Sequence, residues 1–209
     1  FKDASDFTFI FVGAFDIDSL KPMIKKYIAT IPDVERQEKW KDHGIRPPEG
    51  KIKKKVYKGI EPKSQVRLSM SGDFNFTPEN RLDLRSVIEV LRIKLRESIR
   101  EEKGGVYGIG IWESTTKYPY EGYEINIQFS TDPERVDELI TEIKSILKKQ
   151  MKELTEESYV QKAKEIMSRE YEEDIKQNRF WLNNIYRKLY LNEDLSGVLN
   201  YDEKVEQIS

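Results

Sequence analysis

The 209-residue chain contains no cysteine, and this excludes disulfide staples, thiolate zinc sites, iron–sulfur clusters and cysteine nucleophiles together. It has a single histidine, His43, so no site that needs two imidazoles can be built within it, including a helix-borne zinc motif in either orientation. It has almost no net charge: 36 Lys and Arg stand against 38 Asp and Glu, a formal charge of -2, so electrostatics give no reason to expect nucleic acid as a partner. No apolar run approaches the ~18 residues that read as a membrane span. No G-x-G-x-x-G or Walker loop is present, so nucleotide binding has no motif. The commonest hydrolytic sites are therefore all incomplete in this chain.

What is present is periodicity. Charged residues make up 35% of the chain, a content that suits disorder, yet apolar residues recur at strand and helix periods, which disordered segments lack. Residues 7–12 (Phe-Thr-Phe-Ile-Phe-Val) are apolar on both faces and read as a buried central strand ended by Gly13. Asp16 reads as the cap of a helix with Leu20, Met23, Ile24, Tyr27, Ile28 and Ile31 on one side, stopped by Pro32. Residues 33–55 form a long polar connection that contains His43. A strand pair is expected at 55–60 and 65–71, the second with Val66, Leu68 and Met70 alternating with Arg67 and Ser69. Thr77-Pro78 opens a long helix whose stripe is Leu84, Val87, Ile88, Leu91, Leu95 and Ile99, ended by Gly104-Gly105. Strands at 106–112 and 122–130 and three further helices follow, beginning near Asp132-Pro133, Thr155 and Phe180. This order predicts an α+β fold, a mixed or antiparallel sheet with helices packed on one face, in a single domain over 1–209. The chain opens at Phe1 without a methionine and reads as an excised piece of a longer protein.

The most unusual passage runs from Leu95 to Gly108. A helix ends on a glycine pair, and a strand then begins with Tyr107 beside Gly108, glycines that leave a strand flank open to a ligand or another backbone. Arg100 supplies a charged fork and Tyr107 a phenol donor, a pair suited to a carbonyl or an oxyanion. The spacing alone fits an ordinary alternative: Arg100 offsetting the helix dipole and Tyr107 a core aromatic. Other candidates have simpler explanations. Glu170, Glu172, Glu173 and Asp174 read as a solvated helix face, Lys51–Lys55 as a solvated edge, and Phe180-Trp181 as packing.

The run Arg-Glu-Glu-Lys-Gly-Gly-Val-Tyr-Gly at 100–108 resembles a motif of the pitrilysin (insulin-degrading-enzyme-like) zinc peptidases, in whose zinc-free half an Arg is followed, after six residues, by a Tyr in a glycine-bearing strand. The run at 9–16 resembles the family's strand-Gly-x-Phe-Asp entry to a helix, and those at 58–64 and 178–182 resemble its bacterial single-chain branch. The family's inverted zinc motif, His-x-x-Glu-His, is absent from these residues. The resemblance implies the zinc-free, substrate-binding C-terminal half of a zinc metalloendopeptidase, with zinc held by another half of the same chain and none here. It implies that Tyr107 donates to the scissile carbonyl, that Arg100 orients the substrate, and that Gly105 and Gly108 line the same site. The implied partners are that zinc-bearing half, a peptide or unfolded polypeptide substrate, and a second copy in a homodimer; the implied location is the bacterial periplasm or cell envelope, with cytoplasm the alternative. The competing reading is a catalytically inactive homologue that serves as a binding or assembly subunit. One consequence is directly measurable: after dialysis the purified chain should retain no stoichiometric zinc by metal analysis, and one equivalent retained would contradict the zinc-free assignment.

Overall fold

A computed structural model describes residues 3–102, 104, 106 and 108–208. The backbone separates into two compact units, one formed by residues 1–41 and 170–202, the other by 42–169 and 203–209.

The larger unit holds the sheet. Strands β1 (Ser64–Asp73), β2 (Ile109–Thr116) and β3 (Gly122–Thr131) pair antiparallel in the order β1-β3-β2, so β3 is central. The register sets Leu68 opposite Ile127 and Ile111 opposite the same residue, which aligns the apolar side of all three strands. Helix α2 (Pro78–Leu95) begins where Thr77 predicts, its hydroxyl accepting from the Asn80 amide at 3.1 Å. A short 3-10 turn at Pro133–Arg135 leads into α3 (Val136–Gln150). The two helices and the sheet enclose one core of Ile88, Leu91, Leu95, Ile99, Ile111, Ile127, Phe129, Leu139 and Ile143. Val66, Leu68 and Met70 of β1 pack against its edge. Helix α2 is also tied to β2 by polar bonds. Arg92 pairs with Glu89, which is almost wholly buried, and donates to the Ile111 carbonyl at 3.3 Å. Helix α4 (Glu157–Asp174) buries Val160, Ala163 and Met167. Helix α6 (Tyr201–Glu206) buries Val205, and Lys164 donates to the Glu206 carbonyl at 2.8 Å.

The smaller unit contains α1 (Ile17–Tyr27) and α5 (Asn178–Leu191). Asp16 caps α1 as expected, accepting from the Ser19 amide at 2.7 Å. Arg36 holds the two ends of the first segment together through Asp3 and Asp6, each at 2.9 Å. Phe180 packs edge-on to Tyr171, and Trp181 donates from its indole to the Ile175 carbonyl at 2.8 Å.

Four expectations are corrected. Residues 7–12 do not form a strand, and Phe7, Phe9 and Phe11 are 41–44% exposed. A central strand needs a neighbour on each side, and this unit has no strand among its described residues. The apolar side of α1 is likewise uncovered, with none of its residues buried. Residues 55–60 are not a strand either; β1 begins only at Ser64, and the lysine-rich stretch before it is exposed. Val87, assigned to the core stripe of α2, is 41% exposed. The strand expected from residue 106 begins at Ile109.

Removing Arg92 takes away an ionic partner of a nearly buried carboxylate and a link from α2 to β2. Arg92→Met should cost roughly 2–4 kcal/mol in urea unfolding. A cost below ~0.5 kcal/mol would show that the pair does not hold α2 to the sheet.

Candidate substrate-binding site

The C-terminal end of α2 does not stop as an ordinary helix does. From Arg96 to Glu102 the backbone widens into a π-helical turn, a form that is rare and concentrated at functional sites. Three anchors fix it. Ile99 is fully buried in the core. Ser98 donates to Glu142 of α3 at 3.4 Å. Glu97 accepts from the Tyr159 hydroxyl of α4 at 2.7 Å and pairs with Lys162 at 3.6 Å. With its neighbours turned inward, Arg100 is left exposed, and its guanidinium has no hydrogen bond or ion pair among the described residues.

Gly104 has φ of 58°, a left-handed conformation that a side chain resists, so glycine is the residue that lets the widened turn end here. Val106 packs back against the core and carries the backbone toward β2. Among the described residues, nothing but its chain neighbours lies within 4 Å of where a side chain on Gly108 would stand. Tyr107 and Gly105, which the sequence joined to Arg100 and Gly108, lie outside the described residues.

His43 sits in the exposed connection between α1 and β1. The carboxylate beside it, Asp42, is engaged by Arg46 at 2.6 Å; that hydrogen bond, with the Gly44 amide, lowers its pKa to about 2. No group of three or more His, Asp or Glu side chains is placed to hold a metal ion among the described residues. The residues present do not fit a zinc site. Glu173 pairs with Lys176 at 2.8 Å on an exposed helix end, Lys53 reaches Asp137 at 3.4 Å, and Phe180 and Trp181 pack on one another. Arg67 and Asn126 lie on β1 and β3, far apart in the chain. The strand register brings them together, and Arg67 donates from Nε to Asn126 at 3.0 Å.

A family model described as the peptidase M16 inactive domain matches residues 1–167. The chain belongs to this family. The M16 chain is 26% identical over 138 residues to the probable zinc protease PqqL of Haemophilus influenzae, a match covering 66% of this chain and 14% of that protein. Among solved structures it resembles the periplasmic protease PqqL from Escherichia coli, with a TM-score of 0.75 at 19% identity over 94% of this chain and 22% of that one. It also resembles a protease from Helicobacter pylori, with a TM-score of 0.65 at 14% identity over 95% of this chain and 48% of that one. These likenesses establish the α+β fold of M16 C-terminal half-domains. The M16 chain thus spans about a seventh of the curated relative and about a fifth of the PqqL structure. The pitrilysin-type resemblance read from residues 100–108 agrees with this membership, and the family description names a domain that is itself inactive.

Proposed function

We propose that residues 1–209 act as the zinc-free, substrate-binding part of a PqqL-like zinc metalloendopeptidase and help to close its proteolytic chamber. The observation that carries this reading is the π-helical turn at Arg96–Glu102, pinned through Ile99, Ser98 and Glu97, which leaves Arg100 exposed and without an ion pair among the described residues. A fully exposed arginine usually samples many rotamers. Holding the backbone beneath it on three neighbours lowers the ordering cost when a substrate binds.

In this reading Arg100 offers its planar fork to a substrate carbonyl or carboxylate, which sets the register of the bound peptide. Tyr107 donates its phenol proton to the scissile carbonyl oxygen as negative charge develops there. Gly105 and Gly108 keep the flank free of side chains so that the peptide backbone can approach. Zinc, where the family carries it, is supplied with its ligands by the other half of the protein. The substrate is a peptide or unfolded polypeptide, and the location is the periplasm or cell envelope, by analogy with the PqqL neighbour.

The test is peptide hydrolysis by the full-length protein, with and without chelator. Tyr107→Phe should fold normally and lose roughly 10²–10³ in kcat, the scale for removing one oxyanion donor. Arg100→Ala should lower kcat/KM with zinc content unchanged. A Tyr107→Phe enzyme with wild-type kcat and kcat/KM would end the catalytic assignment. Full-length protein without chelator-sensitive hydrolysis would instead favour an inactive binding or assembly subunit.

A further inference from the structure

The outer face of the sheet, opposite the core, carries a second assembly that the peptidase reading does not use. The register places Arg67, Gln128 and Gly110 in one row across β1, β3 and β2, and Ser69, Asn126 and Trp112 in the next. Asn126 Oδ1 accepts from Arg67 Nε at 3.0 Å and from Ser69 Oγ at 2.7 Å, while its Nδ2 donates to Glu124 at 3.0 Å. Trp112 leans along its own strand toward Gly110, its Cζ3 standing 3.9 Å, an ordinary contact distance, from where a Cβ at Gly110 would be. The Arg67 guanidinium lies 5.5 Å from the centre of the Trp112 ring. Between the two, Asn126 is only 3% exposed although it is on the outer face, whereas Trp112 keeps 37%.

The result is an arginine fixed at its Nε and against an aromatic ring, with its two terminal nitrogens unpartnered among the described residues. An exposed arginine ordinarily gives up rotamer freedom when it grips a ligand; here much of that freedom is already gone. Two adjacent N–H donors on a planar cation match the geometry of a carboxylate. Among the described residues, neither acidic side chain of this face makes an ion pair with Arg67. Glu124 is opposite Ser71 and already accepts from Asn126, and Asp73 is at the far end of β1 opposite Gly122. The Arg67 row is also at the end of the sheet where β2 is entered from Gly108, next in the chain to the proposed substrate segment.

We infer that Arg67, seated on Asn126 and Trp112, recognises a carboxylate of the bound polypeptide: an Asp or Glu side chain, or the C-terminus. This rests on the peptide-binding reading above and adds a preference for one class of peptide.

The experiment uses the full-length protein and three labelled peptides of one sequence. One has an internal Glu and an amidated end, one has Gln and an amidated end, and one has Gln and a free C-terminus. Affinity is measured by fluorescence anisotropy with chelator present, and KM and kcat without it. The wild-type protein should bind one of the two carboxylate peptides about tenfold more tightly than the neutral one, and which of them it prefers names the source. Arg67→Met should abolish that preference while leaving neutral-peptide affinity unchanged, and Arg67→Lys should retain part of it because a point charge replaces the fork. Equal wild-type binding of all three peptides, or a preference that survives Arg67→Met, would overturn the assignment. Selective binding without hydrolysis would retain this site and remove the peptidase reading; chelator-sensitive hydrolysis without selectivity would do the reverse. Binding of none of the peptides would overturn both.

Discussion

Burial of Ile99 beneath the sheet is the constraint on which the candidate site depends. Leu95 and Ile99 both reach the core that Ile111, Ile127 and Phe129 present, so the end of α2 is held in register with the strands. A continuous α-helix advances 100° per residue, and the π-helical turn at Arg96–Glu102 changes that phase while Ile99 stays inward. Arg100 is exposed as a consequence of the residue before it being buried. The exposure of this candidate side chain follows from apolar packing, with Ser98 and Glu97 adding polar restraints from α3 and α4.

The larger unit was legible in the sequence because its signals are local and agree with one another. Thr77-Pro78 combines a capping hydroxyl with a proline at the first helical turn, and α2 begins there. Alternation at 66–70 and 123–129 gave both the strands and the side each residue faces, since a period of two leaves little ambiguity. The π-helical turn left no comparable mark, because Leu91, Leu95 and Ile99 keep the four-residue spacing of an α-helical stripe. Residues 7–12 show the opposite failure. Their composition is that of a buried strand, but pairing is a property of neighbours, and no strand beside them is found among the described residues of that unit. The stretch at 55–60, expected as a strand, leaves Val56, Tyr57 and Ile60 highly exposed.

The outer face of the sheet shows what register adds to pattern. Alternation alone assigns Arg67, Asn126 and Trp112 outward, three unremarkable positions far apart in the chain. Antiparallel pairing in the order β1-β3-β2 places them in adjacent rows and allows one asparagine to fix an arginine that also rests against a tryptophan. The M16 family membership and the PqqL-like fold describe the scaffold, and such scaffolds specify function only through the side chains they present.

The central claim is that the end of α2 and the entrance to β2 form a peptide-binding wall. A substrate peptide bearing a photoreactive group near its scissile bond, crosslinked to the full-length protein and mapped by mass spectrometry, tests this most directly. The account predicts crosslinks within residues 100–112, competed by unlabelled peptide. Competed crosslinks confined to other parts of the protein, with none in 100–112, would contradict it.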